Sequence, residues 1–274
     1  MLSVNTNTGA MVALQYLNKT EGELQTAQTH INTGLKVATA KDDGATFAIA
    51  QNMRGNVAGY QAVSDSLNRG VSTVDVAISA GSAISDLLIE LKAKALAAAD
   101  ASLDTASRNA LNADFTALRD QITTIVSNAE FNGTNLVNGS VATVTALASA
   151  DGTKKITVQT QNLTLSGAIV TITTTATIST QTKASAMIST IGSSIQNVNA
   201  ALAKLAAGSK KFTIQNDFVS KLVDALKQGI GNLVDADMAV ESARLQSLQV
   251  KQQLGVQALS IANQQPQIIL SLFR

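Results

Sequence analysis

Few residues in this 274-residue chain are of types that do chemistry. There is one histidine, His30, and there is neither cysteine nor tryptophan. A metal centre built from Cys and His is excluded, as are a cysteine nucleophile and a disulfide framework. His30 sits beside an apolar seam with no second His and no cluster of ligands near it, which is the setting of a packing or surface residue. Two acidic pairs, Asp42-Asp43 and Asp235-Ala236-Asp237, have the composition of a cation or acid–base site. They lack the Gly and Glu spacing of a calcium loop and any partnering base, so helix capping and hinge roles fit them better. Gly229-Ile230-Gly231-Asn232 has no basic residue where a bound phosphate needs one. The Thr-rich run from Thr171 to Thr182 offers hydroxyls alone. Nothing here composes a catalytic site, and the chain is read as a non-enzyme with no cofactor and no metal.

Composition narrows the class further. Lys and Arg number 20 against 19 Asp and Glu, a formal net charge of +1. Such a chain has no global field to draw it onto nucleic acid or an anionic membrane. Only 14% of residues are charged while 45% are hydrophobic; a quarter charged is typical of soluble domains. Much of the surface is therefore expected to be covered, by a core or by partners. One proline, Pro266, and 3% aromatics suit long uninterrupted helices packed through aliphatic seams. The first residues, Met1 to Thr8, lack the basic and apolar regions of a secretory signal, and no stretch is apolar enough to span a bilayer.

The elements follow from heptad spacing. Ala13, Leu17, Thr20, Leu24, Ala27 and Ile31 predict a helix from about Gly9 to Gly34. Leu67, Val71, Val74, Ile78, Ile84, Leu88 and Leu91 predict a second, ending near Ala99. Leu111, Phe115, Leu118, Ile122 and Val126 predict a third, ending before Asn132-Gly133. Ile188, Ile191, Ile195, Val198, Leu202 and Leu205 begin a fourth, which resumes after Gly208 through Phe212, Val219, Leu222, Leu226 and Leu233. Gly208 either breaks this helix or lies within one running from Ala184 to Asp235; the seam keeps its phase across the glycine, which favours one helix. A fifth spans about Ala236 to Asn263, with Met238, Leu245, Leu248, Leu259 and Ala262 on one side. Between Asn132 and Thr182 the period changes. Asn132-Gly133, Asn138-Gly139 and Asp151-Gly152 are hairpin dipeptides, and Lys155–Gln159 and Ile169–Ile178 alternate β-branched residues with Thr. The expected fold is mainly α: a long antiparallel helical bundle or coiled coil with a small β-hairpin insertion at about 132–182, and both termini helical and paired.

The two ends carry the most information. No charged residue occurs before Lys19, and none between Lys251 and Arg274. A solvated surface helix carries a charged face; these carry Gln, Asn, Ser, Thr and Gly around aliphatic residues. Those are Met11, Leu14 and Leu17 at one end, and Leu254, Leu259, Ile261, Ile268, Ile269, Leu270, Leu272 and Phe273 at the other; Leu24, Ile31, Leu245 and Leu248 continue the seams further in and are candidate assembly residues with them. Packed against copies of themselves, such helices bury both faces without stranding a charge, which predicts ends that order on assembly.

At this point the residues resemble a known family. Val4-Asn5-Thr6-Asn7 followed by Ala10-Met11-Val12-Ala13-Leu14 resembles the opening of bacterial flagellins, and Ile31-Asn32-Thr33-Gly34-Leu35 through Ala40-Lys41-Asp42-Asp43-Gly44-Ala45 resembles the segment that follows their first helix. Phe131-Asn132-Gly133 is similar to the turn after their third long helix. Ala258 to Gln267 leading to Leu270-Ser271-Leu272-Phe273-Arg274 is nearly their ending. Gly44 departs from the common Ala, and the chain is shorter than flagellins with bulky outer domains, so a short, α-proteobacterial-like member is implied.

The resemblance implies a structural subunit that polymerises into the extracellular helical filament. Residues 1–35 and 237–274 would form an inner coiled tube, 36–44 a spoke with Lys41, Asp42 and Asp43 as hinge, and 45–235 the surrounding helical shell. Implied partners are further copies of itself, hook-associated junction and cap proteins, and the flagellar type III export apparatus; nucleic acid and membrane insertion are not implied. The family's contacts with the innate immune flagellin receptor fall on Glu90, Lys94 and Asp114, where an Arg and a Leu are replaced by Glu90 and Lys94, so weak recognition is expected. Thr171, Thr173, Thr175 and Thr177 are either plain strand residues or acceptors for O-linked sugars. The alternative role is a flagellin-like hook–filament junction protein.

Overall fold

The computed structural model describes residues 6–272, with side chains described as far as Gln264. Among the described residues five helices and four short strands follow one another: α1 (Thr8–Thr33), α2 (Gly44–Ala98), α3 (Thr105–Asn128), β1 (Glu130–Phe131), β2 (Thr134–Asn135), β3 (Thr143–Leu147), β4 (Lys155–Gln159), α4 (Gln181–Val234) and α5 (Met238–Leu272). The chain forms two compact units: residues up to Gly55 together with those from Ala225 onward, and Asn56–Asp224.

The larger unit is built on the heptad seams. In α4, Ala184, Ile191, Val198, Leu205, Phe212 and Val219 recur every seventh residue and all are buried. From α2 the unit buries Leu67, Val74, Ile84, Leu88 and Leu91, and from α3 Phe115, Ile122 and Val126, all in one core. Two seam positions of α2 are glycines: a Cβ at Gly70 would meet the Phe212 ring at 3.1 Å, and one at Gly81 would meet Leu202 Cδ2 at 2.7 Å. Large side chains of α4 thus seat directly on the α2 backbone.

The helix α4 is continuous through Gly208, which resolves the ambiguity at that residue. Its glycine is explained by β4: a Cβ there would lie 2.6 Å from Val158 Cγ1. The Asn132-Gly133 turn joins β1 to β2 with both residues at positive φ (49° and 78°), the geometry of a type I′ hairpin. Strands β3 and β4 pair antiparallel from Thr143 opposite Gln159 to Leu147 opposite Lys155, and Asp151-Gly152 lies in their connection. Asn138-Gly139, in contrast, forms a bend and joins no hairpin.

Ile169–Ile178 is not a strand. It keeps the alternation expected of one, with Val170, Ile172, Ala176 and Ile178 buried, but side chains take the place of a strand neighbour. The N–H of Thr171 donates to Ser194 Oγ at 3.1 Å, and that of Ile178 to Asn112 Oδ1 at 2.7 Å. Buried Arg119 donates through Nη1 to the Ala176 carbonyl at 2.7 Å, while Nε and Nη2 hold Asp120. The segment is anchored by its side chains and by these bonds, so alternation here reports burial and not sheet pairing.

The smaller unit contains α1, α5, the segment between α1 and α2, and the adjoining turns of α2 and α4. A small core of Val37, Ala50 and Val234, with Leu35, Phe47, Ile230 and Leu233 against it, lies where they meet. The fifth helix begins later than its apolar pattern predicts and runs further, through Pro266 to Leu272.

Candidate assembly interface: the paired terminal helices

The first helix starts at the cap residue Asn7, whose Oδ1 accepts the N–H of Ala10 at 3.0 Å. It ends at Gly34, which adopts the left-handed conformation (φ 72°) and donates its N–H to the His30 carbonyl at 2.8 Å. The fifth starts at Asp237, whose Oδ1 accepts the N–H groups of Ala239 and Val240. Both acidic pairs singled out in the sequence thus contribute a helix cap, because Asp43 does the same for α2.

Along α1, Leu17 and Ala27 are buried, and Ala13, Leu24 and Ile31 are half-buried. Along α5, Glu241, Leu245, Leu248, Gln252, Gly255, Leu259 and Ala262 are the least exposed positions, spaced alternately four and three residues apart. The two seams face each other in antiparallel order. His30 meets Glu241, Leu17 Cδ1 approaches within 3.2 Å of where a Gly255 Cβ would be, and Asn7 reaches Ala262. Leu14 lies off the seam, 47% exposed, and Met238, in phase with the α5 seam, is exposed at its first turn. The side chains of Leu270, Leu272 and Phe273 lie outside the described residues.

Sequence reasoning missed the seam's polar members. His30 Nδ1 lies 3.2 Å from Glu241 Oε1 with both side chains nearly covered, and Arg244 Nη1 is 3.8 Å from the same oxygen. Among the described residues, His30 Nε2 and Glu241 Oε2 have no further partner. The signal that finds Glu241 is its heptad phase with Leu245 and Leu248, which an acidic residue obscures. Asn7 Nδ2 donates to the Ala262 carbonyl at 2.7 Å.

The hinge residues Lys41, Asp42 and Asp43 are exposed. Asp42 Oδ2 accepts the N–H groups of Thr39 (2.8 Å) and Ala38 (3.0 Å), and the Thr39 bond is the main cause holding its carboxyl below the ordinary value of 3.8. The Thr46 hydroxyl does the same for Asp43, followed by the N–H of Thr46. The segment before them is tied to the turn preceding α5. Lys36 N–H donates to the Val234 carbonyl at 2.8 Å and Ala236 N–H to the Gly34 carbonyl at 2.9 Å, around a bridge of Leu35 and Asp235.

The receptor-contact positions lie in the larger unit. Glu90 is exposed, and Lys94 Nζ pairs with Asp114 Oδ2 at 2.6 Å. Thr171, Thr173 and Thr175 are exposed and Thr177 is half-buried; the Thr171 hydroxyl is shared with Ser194 Oγ at 3.1 Å. Among the described residues no cluster of three or more His, Asp or Glu is placed to hold a metal ion, and no helix is long and apolar enough to cross a membrane.

What these features define is a helical subunit whose terminal helices pair through one seam and present partly apolar outer faces that carry no charge between Lys19 or Lys251 and the end of the described residues. Known proteins agree. Residues 4–142 match the bacterial flagellin N-terminal helical region, and residues 188–273 match the bacterial flagellin C-terminal helical region. The flagellin FljK of Caulobacter vibrioides is 54% identical over 272 residues, covering 99% of this chain and 98% of its own. A flagellin of Brucella melitensis is 37% identical, with both chains fully covered. In fold, the chain is similar to a solved flagellar hook-associated protein of Vibrio parahaemolyticus (TM-score 0.58, 12% identity, 71% of this chain and 100% of that one). The chain belongs to the flagellin family, in its short α-proteobacterial form. It is a structural subunit that self-polymerises into the extracellular flagellar filament.

Proposed function

We propose that α1 and α5 are the assembly element of this flagellin and form the filament's inner tube, with the Lys36–Gly44 segment as the spoke to the surrounding shell. The observation that carries this is the outer surface of the pair. Among the described residues, ten large apolar side chains of α1 and α5 are exposed, Met11, Tyr16, Val250, Leu254 and Ile261 among them. Beyond Lys19 and Lys251 toward the chain ends no charge accompanies them until Arg274.

Magnitude decides how such a surface behaves. Removing the exposed half of each side chain from water contributes roughly 1 kcal/mol, so the set is worth on the order of 10 kcal/mol. Association costs about 4–15 kcal/mol. A single neighbour is therefore marginal, whereas several neighbours at once tip the balance, which is the condition for growth from a seed. Contacts that repeat without closing a ring generate an open helix.

The chain acts as a structural protein and performs no catalysis. It leaves the cell through the flagellar type III export apparatus and meets hook-associated junction and cap proteins at the filament's two ends. Exposed Thr173 and Thr175 are the better placed of the O-glycan acceptors, since the Thr171 hydroxyl is engaged and Thr177 is half-covered.

Light scattering and electron microscopy of purified chain, with and without filament seeds, test the reading beside a deletion of Gln252 to Arg274. Seeded filaments from the full chain but not from the deletion are expected. Filaments of equal yield from both would remove α5 from the assembly element.

A further inference from the structure

The chemistry of Asn7 and Pro266 meets at one atom, the carbonyl oxygen of Ala262. In an α-helix each N–H donates to the carbonyl four residues earlier, and the donor due to Ala262 belongs to position 266. Proline has no N–H. The Ala262 carbonyl is therefore without its helical partner although α5 continues to Leu272. A half-covered carbonyl left in that state is costly. Asn7 Nδ2 supplies the missing donor at 2.7 Å, from 255 residues away in sequence. The same side chain's Oδ1 accepts the Ala10 N–H at 3.0 Å. An amide offers one acceptor oxygen and one donor NH2, and this orientation uses each where only it can serve.

We propose that Asn7 and Pro266 are a register clamp for the terminal helix pair: the proline frees one carbonyl of α5, and the cap residue of α1 is the donor that fits it. The inference rests on α1 and α5 being the assembly element, and it adds two positioning residues to that element. A clamp is needed because the seam is repetitive. With apolar positions alternating three and four apart, a slip of one heptad still sets aliphatic against aliphatic over most of the seam; His30 with Glu241 marks the alignment at one end of the pair, and the charge-free end has no ion pair to do the same. In a slipped pair Asn7 faces a carbonyl that its own helix already satisfies. A single polar contact that works in one alignment only is an attested way to fix coiled-coil register.

A double-mutant cycle tests it on the full chain. Asn7→Asp keeps the capping oxygen and removes the donor; Pro266→Ala restores the N–H within α5. The critical concentration for seeded polymerisation is expected to rise roughly tenfold for Asn7→Asp, and by less than about twofold when Pro266→Ala is already present. An equal rise in both backgrounds, loss of polymerisation in both, or no rise in either overturns the clamp. Hydrogen exchange over residues 8–17 of the unpolymerised chain is the second readout. Faster exchange for Asn7→Asp in the parent alone supports the clamp even should the parent form no filaments, a result that would defeat the assembly reading instead. Equal exchange across the cycle overturns the clamp there too.

Discussion

Gly208→Ala sets two effects of known size against each other at one position. An alanine in a helix interior is about 1 kcal/mol more favourable than glycine. At Gly208, however, the added Cβ lies 2.6 Å from Val158 Cγ1 and 2.8 Å from Cγ2. Ordinary carbon contacts are about 3.5–4.0 Å, so Val158 or its strand must yield by roughly 1 Å. Val158 is buried and β-branched, with no long flexible end to swing away. Overpacking of this kind costs about 1–3 kcal/mol, and the net expectation is a loss of about 0–2 kcal/mol. Gly192, in the same helix and the same compact unit, has nothing within 4 Å of an added Cβ. Gly192→Ala is thus the internal control and gains the full propensity term of about 1 kcal/mol. Denaturant unfolding followed by circular dichroism compares the two. Their difference is about 1–3 kcal/mol, and adding Val158→Ala to Gly208→Ala recovers part of the loss. A Gly208→Ala chain as stable as Gly192→Ala would refute the claim that β4 demands the glycine.

Three further outcomes follow from the site. His30→Ala leaves Glu241 nearly covered with Arg244 at 3.8 Å as its remaining charged neighbour; a loss on the order of 2 kcal/mol is expected. Unfolding of the double variant His30→Ala/Glu241→Ala should show a smaller loss than the two singles combined. Asp43, whose carboxyl the Thr46 hydroxyl chiefly holds below 3.8, contributes its cap fully above that ordinary value and loses it as pH falls through the lowered folded one. Hydrogen exchange at the start of α2 should accelerate over that acid range, and Asp43→Asn, which keeps the acceptor, should show no such dependence. With Asp114 engaged by Lys94 at 2.6 Å and Glu90 in place of a basic residue, purified monomer should activate receptor-bearing cells weakly; strong activation would sink the proposal.

The helices were legible because their information is local: a residue's phase in a heptad is visible without knowing its partner. The same holds for the end of α1 at Gly34 and for the Asn132-Gly133 hairpin, where chain chemistry alone sets the turn. What escaped has its cause elsewhere in the molecule. Ile169–Ile178 alternates like a strand because Val170, Ile172, Ala176 and Ile178 are buried, but Ser194 and Asn112 accept backbone N–H groups that a strand neighbour would take. Glu241 occupies a seam position that an apolar search skips. Arg119 is buried because the Ala176 carbonyl and Asp120 receive it, 57 residues and one residue away respectively. The role of Asn7 is invisible without the position of Ala262.

The two units solve the same problem of alignment by different physics. In the larger unit it is solved by shape: Phe212 and Leu202 rest where Gly70 and Gly81 leave the α2 backbone bare, and Val158 rests on Gly208. A heptad slip there would drive a large side chain into a Cβ, so steric exclusion selects the register, with Asn216 bonded to Ser64 and Asn68 in the same alignment. Between α1 and α5 shape selects weakly, since Leu17 against Gly255 is the close approach of this kind and most seam positions are interchangeable aliphatics. There the discriminating contacts are polar and sit near the two ends of the pair, His30 with Glu241 and Asn7 with Ala262. Polar contacts near the ends leave most of the seam aliphatic, and the outer faces beyond Lys19 and Lys251 apolar and uncharged, as packing among copies requires. Had alignment at the chain ends been set by surface ion pairs instead, each copy would carry those charges into any contact made through these faces, where their desolvation would oppose association.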